Sequence, residues 1–275
     1  MDPSALLDHL GVDDRAVPIH GGWASWTFDV GGDRILRVAR NAEIAAAHRR
    51  EERLLPELAR HVDFAVPVPA TVGEFDGHTY MLYPRLPGRA IGAGDRVGDV
   101  AGMLRRLHSF PVERASELLG RPVDGWRDSY VRDWTWMERD VLPRLDPGLR
   151  TVVEERYTAA LATFDGFTPV LVHTDLGTEH ILCDEDGSPT AIIDFETATP
   201  GDPAIDFVGL WATFGEDVTR RLIADYGRSV SEERLRFYLW MGAAHAIRHG
   251  VAEGDEAIVA DGVAGLTARL KNSAD

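Results

Sequence analysis

The segment VLVHTDLGTEHIL, residues 170–182, decides the fold of this chain. Its two ends are apolar, as in a buried strand, but His173, Asp175 and His180 interrupt it. A carboxylate or an imidazole is costly to bury unless it is paired or hydrogen-bonded. Polar residues between two apolar runs therefore indicate either a reactive site or a hydrogen-bonded loop.

A second apolar segment, AIIDF (residues 191–195), follows the turn DEDGSP (184–189) and carries Asp194. We expect the two apolar segments to pair as a β-hairpin across this turn. Asp175 and Asp194 then lie at the same open end, with His180 between them. Two carboxylates and a histidine placed in this way can hold a hard cation and accept a proton in a transfer reaction.

The residues before this hairpin predict a β-rich lobe. Residues 21–40 alternate in apolar character around Gly31-Gly32, which is typical of a hairpin. Apolar residues then recur at helical spacing over 42–61. Strands are predicted again over 64–84, with a turn at Asp76-Gly77.

Two charged residues of this lobe are expected to face its interior. Arg37 is centred in the strand RILRV, where a cation is costly unless it is paired. Glu51 precedes Leu54, Leu55 and Leu58 by three, four and seven residues, so it lies on the apolar stripe of its helix. The two residues predict an ion pair that aims the guanidinium at phosphate oxygens.

The residues after this lobe are mainly helical by pattern. We therefore predict an α+β fold with two lobes, a small antiparallel sheet over residues 1–84 and a larger, mainly helical lobe over 85–275, with a cleft between them. The predicted helices cover residues 97–110, 126–145, 149–164, 206–226, 231–250 and 254–271.

The composition narrows the class of partner. The formal net charge of −16 argues against nucleic acid and anionic membranes, and it suits a cationic ligand. Cys183 is the single cysteine, so no intramolecular disulfide can form, and a reducing compartment is expected. The chain begins with MDPSALLDHLGVDD, which lacks signal-peptide features, and no apolar run is long enough to span a membrane. We expect a cytoplasmic monomer.

The set Arg37, Glu51, HTDLGTEH (173–180) and IIDF (192–195) resembles the plan of the aminoglycoside phosphotransferase family of antibiotic kinases, which includes macrolide and viomycin-type phosphotransferases. The likeness extends over residues 18–250. It implies a protein-kinase-like fold, Mg²⁺, and transfer of the γ-phosphoryl group of ATP or GTP to a hydroxyl of a small molecule.

The resemblance also implies roles for the residues of the second lobe. Asp175 corresponds to the catalytic base and Asp194 to a ligand of Mg²⁺. His180 stands where most of the family has Asn, and its imidazole nitrogen can replace the amide oxygen as a metal ligand, although it is softer. His173 and Asp206 correspond to residues that brace the catalytic loop.

The nucleotide site implied by the resemblance lies between the lobes. The carbonyl of Pro84 and the N–H of Leu86 would meet adenine, and Tyr83 would lie at the back of the purine pocket. The turn HGGWAS, which ends at Ser25, would cover the phosphates, and Arg37, aimed by Glu51, would contact them. The choice between ATP and GTP stays open.

The acceptor is expected to be small and cationic because the chain is acidic. Aminoglycosides fit best, with Glu179 and Glu196 as candidate contacts for amines. Macrolides and viomycin- or capreomycin-type peptides are the first alternatives. A metabolite kinase of the choline or homoserine type is another, and a nucleotide-binding pseudokinase, supported by His180 alone, is a third.

Other conspicuous side chains are expected to be structural. His108 is predicted to pack inside a helix, and the tryptophans at 126, 134 and 136 to belong to the core. His245 and His249 lie one turn apart, but no acidic third ligand has suitable spacing, so no metal site is expected there.

Overall fold

The computed structural model describes residues 3–12, 16–19 and 25–272. The first part of the chain forms a five-stranded antiparallel sheet in the order β1-β2-β3-β5-β4. One helix precedes the sheet and another connects β3 to β4. The elements are α1 (Ser4–His9), β1 (Val17–Pro18), β2 (Ser25–Asp29), β3 (Arg34–Ala39), α2 (Ala42–His61), β4 (Thr71–Phe75) and β5 (His78–Pro84).

The β2–β3 hairpin forms as predicted around Gly31 and Gly32, which both have positive φ. Its pleat gives the sheet two different faces. Leu36 and Val38 belong to the cluster that includes the apolar side chains of α1. Ile35, on the opposite face, packs against the main core cluster, which includes the leucines of α2. Because side chains alternate along a strand, Arg37 lies on the α2 side.

Helix α2 spans the predicted residues. The side chain of Asn41 caps its first turn by accepting a hydrogen bond from the N–H of Ile44 at 3.0 Å. Glu51 is 1% exposed, whereas Glu52 is exposed to solvent. The helix therefore presents one acidic residue to the interior of the lobe, as its apolar stripe predicts.

The second part of the chain is mainly helical, with two small sheets. Its strands form the pair β10-β7 and the three-stranded order β6-β8-β9. The elements are β6 (Arg89–Ala90), α3 (Val100–Leu107), α4 (Val112–Leu119), α5 (Trp126–Trp136) followed by a π-helical turn (Met137–Val141), α6 (Pro147–Thr163), β7 (Val170–Val172), β8 (Ile181–Cys183), β9 (Pro189–Ile192), β10 (Thr199–Gly201), α7 (Val208–Phe214), α8 (Glu216–Tyr226), α9 (Glu232–Glu253) and α10 (Glu256–Asn272).

The predicted central hairpin needs one correction. Its first strand is β8, which follows the polar loop and pairs with β9 through Ile181 and Ile192. The apolar strand before the loop, β7, pairs instead with β10, where Val170 faces Gly201. β10 was not predicted, because its sequence Thr-Pro-Gly is typical of a turn.

Three further boundaries differ from the prediction. The helix expected over 206–226 is divided at Gly215, whose φ of 82° ends α7. α4 was not predicted. Residues 64–69 form no strand apart from a single bridge between Ala65 and Ala191. The prolines in this segment remove backbone donors that a strand would need.

The predicted division between residues 84 and 85 falls at the end of β5 and stays a prediction. Contacts cross this point: Arg53 of α2 donates from Nε to the carbonyl of Leu118 in α4 at 2.7 Å. Ala65 bridges to β9 as described above. None of the helices in the described ranges combines the length and apolar composition needed to cross a membrane.

Candidate active site

Asp206 organises the loop that follows β7. Its buried carboxylate accepts hydrogen bonds from the backbone N–H groups of His173 at 2.9 Å and Thr174 at 2.8 Å. His108, buried in the helical lobe, lies 2.9 Å from the same carboxylate through Nε2. Thr174 has a φ of 73°, a conformation that costs energy for a residue with a branched side chain. The three contacts to Asp206 hold the loop in this shape.

His173 connects this loop to the strand that ends at Asp194. It is fully buried, and its Nε2 lies 2.9 Å from the carbonyl oxygen of Ile193. Its Nδ1 accepts a hydrogen bond from the N–H of Asp175 at 3.3 Å. Burial lowers the pKa of His173, in keeping with a neutral ring that donates at Nε2 and accepts at Nδ1. His173 thus sets the relative positions of Asp175 and Asp194.

Asp175 and His180 lie together at the end of this loop. The side chain of Asp175 is exposed, while His180 is half-buried. The Nδ1 of His180 is 2.7 Å from the carbonyl oxygen of Asp175. Its Nε2 is 3.8 Å from Oδ2 of Asp194. The predicted convergence of these three residues is present in the structure.

Asp194 follows β9 in a left-handed conformation, with a φ of 68°. Its Oδ1 accepts a hydrogen bond from Nη1 of Arg37 on β3 at 3.0 Å, which joins the first part of the chain to the second. Burial raises the pKa of Asp194, but Arg37 and His180 lower it more strongly, so the net shift is downward. The group therefore stays ionised at neutral pH.

Arg37 is surrounded by three carboxylates. Its Nη1 is 3.6 Å from Oε2 of Glu51, so the predicted ion pair is present, and its Nη2 pairs with Glu196. Tyr83 donates its hydroxyl to the same Glu51 oxygen at 3.3 Å. Burial raises the pKa of Glu51 to about 7, despite the opposing effect of Arg37. The Oε1 atom of Glu51 has no hydrogen-bond partner among the described residues.

The remaining residues of the predicted nucleotide site lie near the two ends of β3, where Tyr83 pairs with Ile35 and Ser25 with Ala39. Tyr83 is buried and directed at α2. Pro84 is exposed and Leu86 half-buried in the connection after β5. Ser25 is the first residue of β2. His20–Ala24, the rest of the predicted phosphate turn, lie outside the described residues.

Asp194 and His180 are the described side chains that fit a Mg²⁺ site. Within the described ranges, no group of three or more His, Cys, Asp or Glu side chains could hold a metal by itself. Mg²⁺ in nucleotide enzymes takes one or two protein carboxylates, and the nucleotide phosphates and water supply the other ligands. One carboxylate and one imidazole nitrogen 3.8 Å apart are compatible with that pattern.

Two polar side chains in electrostatic contact with the Asp175 region, Asp133 and His245, were not predicted from the sequence. Asp133 on α5 is half-buried, and its carboxylate makes no hydrogen bond or ion pair within the part of the chain that the structure describes. His245 on α9 is exposed, and its ring lies 4.9 Å from that of Trp136. Desolvation by the protein atoms around the ring lowers the pKa of His245, and the carboxylates of Asp133 and Asp175 act in the opposite direction. His245 is therefore within electrostatic range of both.

Of the two glutamates predicted to contact acceptor amines, Glu179 is exposed in the loop between Asp175 and His180. The carboxylate of Glu196 is instead occupied by Arg37. His48 was also missed, although it lies one helical turn before Glu51 on the same buried stripe of α2. That spacing is the signal that could have identified it.

The chain is similar to known phosphotransferases over most of its length. The model of the phosphotransferase enzyme family (APH) matches residues 15–240. Viomycin phosphotransferase of Streptomyces vinaceus is 27% identical over 259 residues, which cover 86% of this chain and 88% of the relative. APH(2")-IIIa, solved with GDP and kanamycin, has a TM-score of 0.86 at 25% identity, covering 97% of this chain and 99% of that one. Macrolide 2'-phosphotransferase type I has a TM-score of 0.76 at 23% identity, with 95% and 94% covered. These matches confirm the predicted α+β fold of the kinase-like type and the predicted family.

Proposed function

The chain belongs to the phosphotransferase enzyme family and is a small-molecule kinase, and we propose that it phosphorylates a hydroxyl of a cationic antibiotic. An aminoglycoside is the first candidate for the acceptor. A viomycin-type cyclic peptide is the second, because the similarity to viomycin phosphotransferase covers most of both chains. ATP or GTP is the proposed phosphoryl donor.

The observation that carries this proposal is the contact between Arg37 and Asp194. It joins a cation of the sheet to a carboxylate beside the catalytic loop, 3.0 Å apart, with Asp175 exposed nearby. Phosphoryl transfer requires positive charge on one side of the phosphate chain, and a metal-binding carboxylate and a proton acceptor on the other. Two buried side chains hold these groups in place. Glu51 pairs with Arg37, and His173 is hydrogen-bonded to the backbone of Asp175 and of Ile193, the residue before Asp194.

In the proposed reaction the acceptor oxygen attacks the γ-phosphorus. A bond forms between these two atoms, and the bond from the γ-phosphorus to the bridging oxygen of the diphosphate breaks. The proton of the hydroxyl passes to the carboxylate of Asp175, and the nucleoside diphosphate leaves. Asp175 is suited to this role because its backbone is fixed at N–H by His173 and at C=O by His180, while its side chain remains exposed.

Asp194 and His180 would hold Mg²⁺, which, when bound, neutralises charge on the nucleotide phosphates. Asp194 is ionised, as such a ligand must be. The Nε2 of His180 lies 3.8 Å from Oδ2 of Asp194, so these two atoms are the candidate metal ligands. Arg37 occupies the other oxygen of the carboxylate.

The proposed acceptor site lies between α5, α9 and the catalytic loop. Asp133 supplies a carboxylate that has no partner among the described residues, and Glu179 supplies an exposed one four residues after Asp175. A carboxylate without a partner favours a cationic group, because its charge is otherwise uncompensated. His245, packed against Trp136, offers a hydrogen-bonding edge for a hydroxyl or an amine. This combination supports an acceptor with several amines and hydroxyls.

Mass-spectrometric turnover tests the proposal. Purified protein with Mg²⁺ and either ATP or GTP is incubated with kanamycin, gentamicin, streptomycin, viomycin and a macrolide. A mass gain of one phosphoryl group on an aminoglycoside or on viomycin is expected. Product from the macrolide alone would contradict a multiply cationic acceptor, and absence of every product would contradict the proposed antibiotic substrate.

A further inference from the structure

A buried serine–histidine pair lies beside the predicted phosphate site. Ser25 and His48 are 4% and 0% exposed, and Oγ of Ser25 is 3.0 Å from Nε2 of His48. The pair joins the first residue of β2 to α2, one helical turn before Glu51. Burial of two polar side chains is costly unless their donors and acceptors are all hydrogen-bonded. Any donor of this pair that lacks a partner therefore calls for an explanation.

The register of the sheet brings this pair next to Arg37. Thr27 of β2 lies opposite Arg37 of β3, and Ser25 lies opposite Ala39. Residues two apart on a strand, and residues directly opposite, share a face of the sheet, so Ser25 and Arg37 point to the same side. That side faces α2, because His48 and Glu51 contact Ser25 and Arg37, respectively.

The hydrogen-bond partners of the two His48 ring nitrogens indicate which residue donates in the bond between His48 and Ser25. Its second ring nitrogen, Nδ1, is buried and has no partner among the described residues. Burial and the charge of Arg37 lower the pKa of His48 to about 3, so the ring is neutral at physiological pH. A neutral ring has one N–H, and an unpaired buried N–H is rarer in proteins than an unpaired acceptor. The proton is therefore assigned to Nε2, which donates to Ser25.

This direction leaves the hydroxyl hydrogen of Ser25 available. A serine hydroxyl can donate one hydrogen bond and accept two. Since Oγ accepts from His48, its hydrogen must be directed elsewhere, and no second hydrogen bond of this hydroxyl exists within the described part of the chain. Charge-assisted hydrogen bonds to phosphate oxygens are among the strongest that a hydroxyl can make.

We propose that His48 is a positioning residue, which donates from Nε2 to Ser25 and thereby directs the Ser25 hydroxyl hydrogen toward a phosphate oxygen of the bound nucleotide. The inference rests on the proposed function, because it requires a nucleotide whose phosphates lie between Ser25 and Arg37. It assigns to His48 a part in nucleotide affinity, although His48 itself does not touch the nucleotide.

The test is isothermal titration of the full chain with ADP and GDP in the presence of Mg²⁺. Two variants of matched length are compared, His48→Gln, whose amide can donate from nearly the position of Nε2, and His48→Met, which has no donor. We expect His48→Gln to keep the wild-type affinity within about twofold and His48→Met to lose about tenfold, the effect of one hydrogen bond to a charged group. Equal affinity of His48→Met and the wild type would overturn the inference.

A double-mutant cycle with Ser25→Ala separates positioning from packing. If His48 acts through the hydroxyl of Ser25, the loss caused by His48→Met disappears in the Ser25→Ala background. A loss of the same size in both backgrounds would show a packing effect and overturn the inference. Should His48→Met fail to fold, Ser25→Ala alone decides, since unchanged ADP and GDP affinity would exclude the hydroxyl from the site. If one of these results contradicts the role of His48 but the wild type phosphorylates an antibiotic in the turnover assay, the proposed function stands. If neither ADP nor GDP binds the wild type, both the proposed function and the role of His48 are overturned.

Discussion

His180 donates a hydrogen bond from Nδ1 to the backbone carbonyl of Asp175, with 2.7 Å between the two atoms. A carbonyl oxygen can only accept, so the proton must be on Nδ1, and in the neutral ring Nε2 carries a lone pair. That nitrogen is the one near Oδ2 of Asp194. One ring therefore both fixes the carbonyl of the proposed catalytic base and presents a ligand atom at the proposed metal site.

Replacement of His180 by Asn should preserve activity. The amide can donate to the Asp175 carbonyl and offer an oxygen, which Mg²⁺ prefers to nitrogen. We expect His180→Asn to retain at least about half of kcat and to need less Mg²⁺ for half-maximal rate, while His180→Leu loses about tenfold or more. Initial rates over a Mg²⁺ titration provide the measurement. Complete loss in His180→Asn would show a role of the imidazole beyond these two contacts.

Replacement of Asp175 by Asn should abolish turnover without affecting nucleotide binding. The amide is nearly isosteric but cannot accept the proton of the acceptor hydroxyl, and general-base catalysis contributes about 10²- to 10⁴-fold. We expect kcat to fall by about 10³-fold, with ADP affinity within about twofold of wild type. Asp186→Asn, an exposed change in the turn after β8, is the control. Full activity of Asp175→Asn would refute the assignment of the base.

Replacement of Glu51 by Gln should reduce the dependence of stability on pH. The pKa of Glu51 is about 7 in the folded chain against an ordinary value of 4.5, so the folded state binds an extra proton between these values. The corresponding stabilisation is complete below pH 4.5 and is lost as the pH rises through 7. At about 1.4 kcal/mol for each pKa unit, wild type should lose about 3 kcal/mol more than Glu51→Gln across this window.

The measurement for Glu51 is urea unfolding of both proteins at pH 5 and at pH 8. The comparison is made as a difference between the two proteins, because the titrating groups remote from Glu51 contribute equally to each and cancel. Identical pH dependence of wild type and Glu51→Gln would mean that burial does not raise the pKa of Glu51 as described.

Replacement of Asp133 by Asn should weaken binding of the acceptor alone. The change removes a negative charge that acts on His245 and keeps the size of the side chain. We expect the KM for the acceptor to rise about tenfold, with kcat and the nucleotide KM unchanged, as for loss of one charge-assisted contact. Steady-state kinetics with kanamycin or viomycin, as identified by the turnover screen, provide the measurement. Asp128→Asn, exposed on the same helix, is the matched control, and equal KM values for the two variants would remove Asp133 from the acceptor site.

The local elements of the fold were predictable because they depend on residues close in the chain. The apolar stripe of α2 identified both its extent and the inward position of Glu51. The pair Gly31-Gly32 indicated the position of the β2–β3 turn, and Asp76-Gly77 indicated that of the β4–β5 turn. β10 and the division at Gly215 were not predictable in this way. A Thr-Pro-Gly segment becomes a strand only because β7 offers it a partner.

The sequence by itself determined the fold class and the family, and it predicted that Arg37, Asp175, His180 and Asp194 converge, because these features depend on short motifs and on periodicity. Only the tertiary structure decided which charges meet. Glu196 pairs with Arg37 from 159 residues away, and Ser25 with His48 from 23. Such contacts follow from the packing of a sheet face against a helix and of one lobe against the other. No local pattern encodes them, since the free energy that selects them comes from burial shared by the whole core.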